Sequence, residues 1–96
     1  MAAYIVANVR VTNPEQYETY KKLSSHAMAI SGAEVCVRGG AVEVLEGDWQ
    51  PDRLVILRFP DVAAARAFAA SPEYGAARAS RQGAAVMHMV VVEGVA

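Results

Sequence analysis

Apolar and polar positions alternate most regularly near the two ends of the chain. From Ala3 to Val11, Ile5, Ala7, Val9 and Val11 fall on one side of an extended backbone and Tyr4, Val6, Asn8 and Arg10 on the other. This is the period of two expected of a half-buried strand. Thr12-Asn13-Pro14-Glu15 ends it. Proline suits a first helical turn because its missing N–H has no intrahelical partner there, and Asn13 or Thr12 can cap. From Glu15 to Ile30 the pattern changes to helical spacing, with Tyr17, Tyr20, Leu23, Ala27 and Ile30 on one stripe and Glu18, Lys21, Lys22 and Ser25 mostly elsewhere. Ser31-Gly32 supplies a terminating glycine.

A β-rich middle follows: Glu34 to Arg38, Ala41 to Glu46 and Arg53 to Phe59, the last two joined by the loop Gly47-Asp48-Trp49-Gln50-Pro51-Asp52. Arg38-Gly39-Gly40 interrupts it, as a two-glycine hairpin turn or as a bulge bending one long strand. The bulge is the preferred reading, because a second turn follows at Gly47. Asp61 is placed to cap a helix over Val62 to Ala70, and Ser71-Pro72-Glu73 starts another that ends near Gln82-Gly83. Ala84 to Glu93, rich in valine, reads as the last strand. The order is α+β, βαββαβ with the second helix divided. It predicts a single ferredoxin-like domain over residues 1–96, an antiparallel sheet with helices on one face.

One sheet face is then apolar (Val55, Leu57, Phe59 and their neighbours) and packs on the helices. The other carries Asn8, Arg10, Arg58, His88 and Glu43, yet also Tyr4, Val6, Leu54, Ile56, Val90 and Val92. A solvated face would alternate more cleanly, so this one is expected to meet a second copy of the chain, two sheets facing across a two-fold axis. Composition agrees. The chain is 54% hydrophobic but only 7% aromatic, with 19 alanines and 14 valines, a small-residue core that gains from a partner.

Nine Lys+Arg against ten Asp+Glu leave a net charge of −1, without the basic excess that a phosphate backbone calls for, so nucleic acid is not expected as a partner. One cysteine forms no internal disulfide, and no Cys/His spacing suits zinc. MAAYIVANVR has no basic leader, and no apolar run reaches the roughly 18 residues of a membrane span. A cytoplasmic protein with no metal, cofactor or membrane partner is expected.

The stretch VRGGAVEVLEGDWQPDRLVILRFP, followed by a helix opening and then SPEY with an alanine-rich continuation, resembles the domain-of-unknown-function family 1330 (DUF 1330). The likeness runs from about Tyr4 to Val95, and its specific part is the RGG-x-VEVLEG-x-W-x-P-x-R block. Departures lie at Ser24 to Met28 and at Val86-Met87-His88. The resemblance implies a homodimer in the dimeric α/β-barrel superfamily. That superfamily includes cofactor-independent monooxygenases, small-molecule isomerases, dehalogenating enzymes and heme-degrading members, so an activity does not follow from membership.

Candidate chemistry centres on a few residues. Arg38-Gly39-Gly40 is single and flanked by strands, unlike repeated disordered nucleic-acid boxes, and lacks the helix and Lys-Ser/Thr of a phosphate loop. Arg38 beside it offers a planar, permanently charged fork for a carboxylate or enolate; pairing with Glu46 or Glu43 is the structural alternative. His26 and His88 are the only imidazoles. His26, with Tyr20, is the candidate for proton transfer, whereas His88 and Tyr17 are candidate ligand contacts; for each, a packing role is the competing reading. Trp49 either lines a pocket or closes the dimer. Cys36 reads as a small buried residue. Two functions remain open: binding a small, partly apolar acid or carbonyl compound with metal-free acid–base chemistry, and a non-catalytic homodimeric module.

Overall fold

The computed structural model describes residues 1–96. β1 (Ala3–Val11) lies inside a four-stranded antiparallel sheet of order β2-β3-β1-β4, with β2 (Glu34–Arg38), β3 (Arg53–Phe59) and β4 (Ala85–Glu93). Three helices, α1 (Pro14–Ser31), α2 (Val62–Ala69) and α3 (Pro72–Ser80), cover one face, giving the expected ferredoxin-like βαβ-βαβ plan with its second helix divided. The molecule measures 37 × 35 × 16 Å, and the short dimension is one sheet plus one helix layer.

Local chemistry sets the helix ends. Asn13 accepts from the Gln16 N–H at 3.2 Å, Asp61 from Ala64 at 2.7 Å and Ser71 from Tyr74 at 3.2 Å, each satisfying a donor that its helix leaves free. Gly32, at φ 74°, closes α1 in the left-handed region, and Ala33 N–H reaches back to the Met28 carbonyl at 3.1 Å. The Gln16 amide donates to the carbonyls of Ser80 and Gln82 at 3.0 and 2.7 Å, so the start of α1 caps the end of α3 and holds the two helices together.

The core is the helix side of the sheet. Ile5, Ala7, Val9, Leu57 and Phe59 meet Tyr17, Tyr20, Ala27, Met28, Phe68 and Tyr74, all buried. Alanine at Ala65 and Ala77 brings helices close to their neighbours, and the few aromatic rings fill what remains: Phe68 lies 5.5 Å from Phe59 and 4.8 Å from Tyr74, ring centre to centre. α1 differs from its expected stripe at three positions. Ile30 is exposed, whereas Ser24 and Met28 are buried. Ser24 is tolerated there because its hydroxyl donates to the Lys21 carbonyl one turn back.

The middle of the chain departs further from expectation. Ala41 to Glu46 does not form a strand within the chain: the ladder of β2 on β3 ends at Arg38↔Val55, and Gly39, at φ 71°, turns the backbone away. Residues 40–52 run as an exposed arm outside regular structure. The irregularity expected at the glycines lies instead inside β2, where the register shifts between Val35 and Val37. Cys36, expected buried, is the extra residue at this bulge and is exposed.

On the far face of the sheet, Val86, Val90 and Val92 are exposed, and Tyr4, Val6, Leu54 and Ile56 are partly so. Arg58 pairs there with Glu34 at 3.5 Å. Because Phe68 ties α2 to both Phe59 and Tyr74, Phe68→Ala is expected to cost about 3–5 kcal/mol, a large part of a small domain's stability; a fall in the urea midpoint at unchanged slope would measure it.

Candidate functional site

Side chains in a strand point alternately to the two faces, so β2 without an irregularity would put Glu34, Cys36 and Arg38 on one face. The bulge changes that. Glu34 pairs opposite Arg58 on the open face and Val35 opposite Leu57 on the helix face; after the extra residue, Val37 pairs with Ile56 and Arg38 with Val55. Residues directly opposite share a face. Arg38 is therefore turned to the helix side, at the mouth of a cleft between the sheet, α1 and α3.

Arg53, the first residue of β3, enters the same mouth, since it shares alternation with Val55, Leu57 and Phe59 and lies opposite Val9. Its guanidinium packs on Gly39. A Cβ placed there would stand 2.6 Å from Arg53 Cζ, so the first glycine of the pair both takes a left-handed turn and leaves room for a cation. The Arg53 Nε is inaccessible to solvent and has no hydrogen-bond acceptor. Arg38 donates through Nη2 to the Ser25 hydroxyl. Neither arginine has a carboxylate partner: the chain's ion pairs are Arg58–Glu34 and Lys21–Glu18. Lys21, Lys22, Ser25, Arg38 and Arg53 together line an open depression of about 540 Å³ that contains no acidic side chain.

Below the mouth, the cleft is lined by Tyr17, Tyr20, Tyr74 and apolar side chains, among them Met28, Met87 and Met89. Tyr20 and Tyr74 hydroxyls lie 2.9 Å apart, and Tyr74 donates onward to Met87 Sδ at 3.7 Å. The Tyr17 and Tyr20 rings are 5.1 Å apart. The space within is about 30 Å³, enough for a water-sized sphere. An apolar group larger than that must displace thioether side chains, which are unbranched and adaptable.

Burial pushes the Tyr20 hydroxyl well above its ordinary pKa, reinforced by the Tyr74 hydroxyl beside it. Burial also raises Tyr17, and the Arg53 charge only partly offsets this. Both are thus neutral phenols at physiological pH, donors of hydrogen bonds rather than bases. No carboxylate or imidazole lines the cleft. The arrangement offers guanidinium, ammonium and phenol donors around an apolar slot, which can hold an anionic oxygen and stabilise charge on it.

Of the residues singled out from the sequence, Arg38, Tyr17 and Tyr20 come together. His26 is exposed on α1 and lines neither the cleft nor the depression. His88 stands opposite Asn8 on the open sheet face, and Trp49 is on the exposed arm. Arg53, Tyr74 and Lys21 were not anticipated. Arg53 carried a usable signal, its parity with Val55 and Phe59; nothing local in SPEY places Tyr74 against Tyr20. No group of three or more His, Cys, Asp and Glu side chains is placed to hold a metal.

The family described as Domain of unknown function (DUF1330) matches residues 2–95. No curated protein matches the chain. Among solved structures, the fold is similar to that of RPA0582, a protein of unknown function from Rhodopseudomonas palustris, at TM-score 0.75 and 24% identity, covering 99% of this chain and 83% of that one. It is similar also to SnoaB, a cofactor-independent oxygenase from Streptomyces nogalater, at TM-score 0.66 and 14% identity over 99% and 94% of the two chains. A dimeric ferredoxin-like protein of unknown function from Jannaschia sp. CCS1 gives TM-score 0.68 and 13% identity over 98% and 100%.

The raised phenols set an alkaline limit on stability. Above the unfolded tyrosine pKa of about 10, the unfolded chain loses protons that folded Tyr20 keeps, so stability is level below that pH and falls above it. The expected slope is up to about 1.4 kcal/mol per pH unit for each such phenol. Urea unfolding between pH 8 and pH 11 should show a shallower decline in Tyr20→Phe; an identical slope in the two proteins would mean that Tyr20 ionises freely.

Proposed function

The chain belongs to the DUF1330 family, and from that footing we propose that it binds a small, partly apolar organic acid. The carboxylate lies between Arg38 and Arg53, and the apolar body enters the tyrosine- and methionine-lined cleft. One observation carries this reading: two arginines without acidic partners, one with a buried and unpaired Nε, meet at the mouth of an apolar slot. A desolvated guanidinium nitrogen without an acceptor is costly, and a bound anion relieves that cost. Lys21 and Lys22 add long-range attraction, whereas Tyr17 is placed to donate deeper in.

In a catalytic form of this reading, the same donors stabilise an enolate of the ligand; Tyr17 is the phenol placed to donate to it, because the Tyr20 hydroxyl gives its one proton to Tyr74. The fold shared with a cofactor-independent oxygenase and the absence of acids around the cations favour it. His26, away from the cleft, has no part in it.

We propose further that the protein is a homodimer joined through the open sheet face. Sheets pack face to face about 10 Å apart; Val6, Ile56, Val90 and Val92 supply the apolar contact, and His88 and Asn8 its polar part. The similarity to a dimeric ferredoxin-like protein supports this arrangement.

Thermal shift with aromatic and short-chain carboxylates tests the ligand. Wild type should be stabilised by the acids and not by their amides, and Arg53→Ala and Arg38→Ala should each weaken binding roughly 10-fold or more, the value of a lost charge-assisted hydrogen bond. Equal shifts in wild type and both variants would remove the arginines from the site. Sedimentation should give twice the 10.2 kDa of one chain; the mass of one chain at micromolar concentration would refute the dimer.

A further inference from the structure

The mouth of the cleft carries more positive charge than one carboxylate neutralises. Lys21, Lys22, Arg38 and Arg53, both lysines of the chain among them, line its depression, although the chain as a whole has a net charge of −1. Only Lys21 has a counter-ion, Glu18 at 2.7 Å on the same helix. Lys22, Arg38 and Arg53 have none. Like charges grouped on one surface repel, and a bound monoanion leaves most of that repulsion in place.

The cations fall into two sets on different elements. Arg38 ends β2 and Arg53 begins β3, and both line the apolar slot as well as the depression. Lys21 and Lys22 come from one turn of α1, and Lys22 lines the depression alone. Ser25 does not compete for a ligand. Its proton goes to the Lys21 carbonyl at 2.7 Å and its oxygen accepts from Arg38, so it holds the guanidinium in place and leaves the remaining Arg38 donors facing the depression.

The volumes point the same way. The slot holds about 30 Å³ and the depression about 540 Å³. Most of a ligand therefore lies among the cations, and only a short or flat apolar part goes down between the tyrosines and methionines.

We infer that the ligand is a small dicarboxylic acid, with one carboxylate on Arg38 and Arg53 and the other on Lys22, next to Lys21, which Glu18 shares. The assignment rests on the carboxylate site proposed above and specifies the class of acid it takes. A guanidinium matches a planar carboxylate with a fixed fork of donors, whereas an ammonium is a compact charge on a flexible stem that follows a second group over a range of positions. One end of the diacid is thus recognised by geometry and the other by charge.

Calorimetric titration of the full chain with phenylsuccinate, its monomethyl ester and hydrocinnamate separates the two contacts, because the three share one apolar body and differ in the second acid group. The diacid should bind about 5-fold to 10-fold tighter than either monoacid, the value of one further charge-assisted contact at a partly exposed site. That advantage should shrink between about 0.05 M and about 0.5 M salt, since an exposed ammonium is screened. Lys22→Met, at an exposed position outside the core, should remove most of the advantage and change hydrocinnamate binding far less. Arg38→Ala should weaken all three ligands. Phenyl phosphate, which carries both charges on one group, should bind less tightly than phenylsuccinate. Equal affinities for diacid and monoacids, an advantage that Lys22→Met leaves intact, or phenyl phosphate as the tightest ligand would overturn the dicarboxylate assignment and leave the carboxylate site standing. Failure of every acid to bind, or binding indifferent to Arg38→Ala and Arg53→Ala, would end both.

Discussion

A strand side chain has two faces to choose from, and one extra residue exchanges them for everything that follows. The bulge at Cys36 does this to β2: Arg38 is taken from the open face, where its chain parity with Glu34 would have put it, to the helix face opposite Val55. The mouth of the cleft depends on that exchange. Arg53 arrives from the neighbouring strand on the same face, and Gly39, immediately after β2, is bare enough for the second guanidinium to lie against it. Two guanidinium cations that repel one another are thus brought to one depression, with two lysines and the Ser25 hydroxyl, and no carboxylate, around them. Such a grouping is unfavourable in isolation and favourable with an anion bound, which is what distinguishes it from a solvated charged surface.

The slot beneath follows from how this core is filled. Alanine supplies closeness but little volume, so the aromatic residues of α1, α2 and α3 converge on the same region of the sheet, and the tyrosines of α1 and α3 bring their hydroxyl groups with them. A buried phenol needs a partner, and Tyr20, Tyr74 and Met87 satisfy this in sequence. Burial holds these phenols neutral. Core packing and ligand recognition are consequently carried by the same side chains: the tyrosines that stabilise α1 on α3 are the ones a ligand would touch, and the methionines that complete the packing are the ones able to yield.

One sheet and one helix layer bury only one face of the sheet. The other face leaves Val86, Val90 and Val92 exposed, and a second copy, as proposed, would cover it. This gives the low aromatic content a structural reading. A chain with a small-residue core that covers only one side of its sheet has the most to gain from the association proposed.

The local pattern of the sequence determined the element order, the caps at Asp61 and Ser71, the choice of Asn13 or Thr12 for α1, the buried face of β1 and β3, and the apolar character of the second face, because each is set by neighbours a few residues apart. Arg38 and the α1 tyrosines were legible as candidates for the same reason; Arg53 was not picked out, although its parity with Val55 and Phe59 carried the signal. The position of the bulge was not: Cys36 is one small residue among several that could be left unpaired, and which one is extra depends on the register against β3. Nor could the sequence show that Ala41 to Glu46, a strand by composition, finds no ladder within its own chain, or that Tyr74 meets Tyr20 across fifty-four positions. A strand pattern states what a segment can pair with, and only the tertiary arrangement decides whether a partner is within reach.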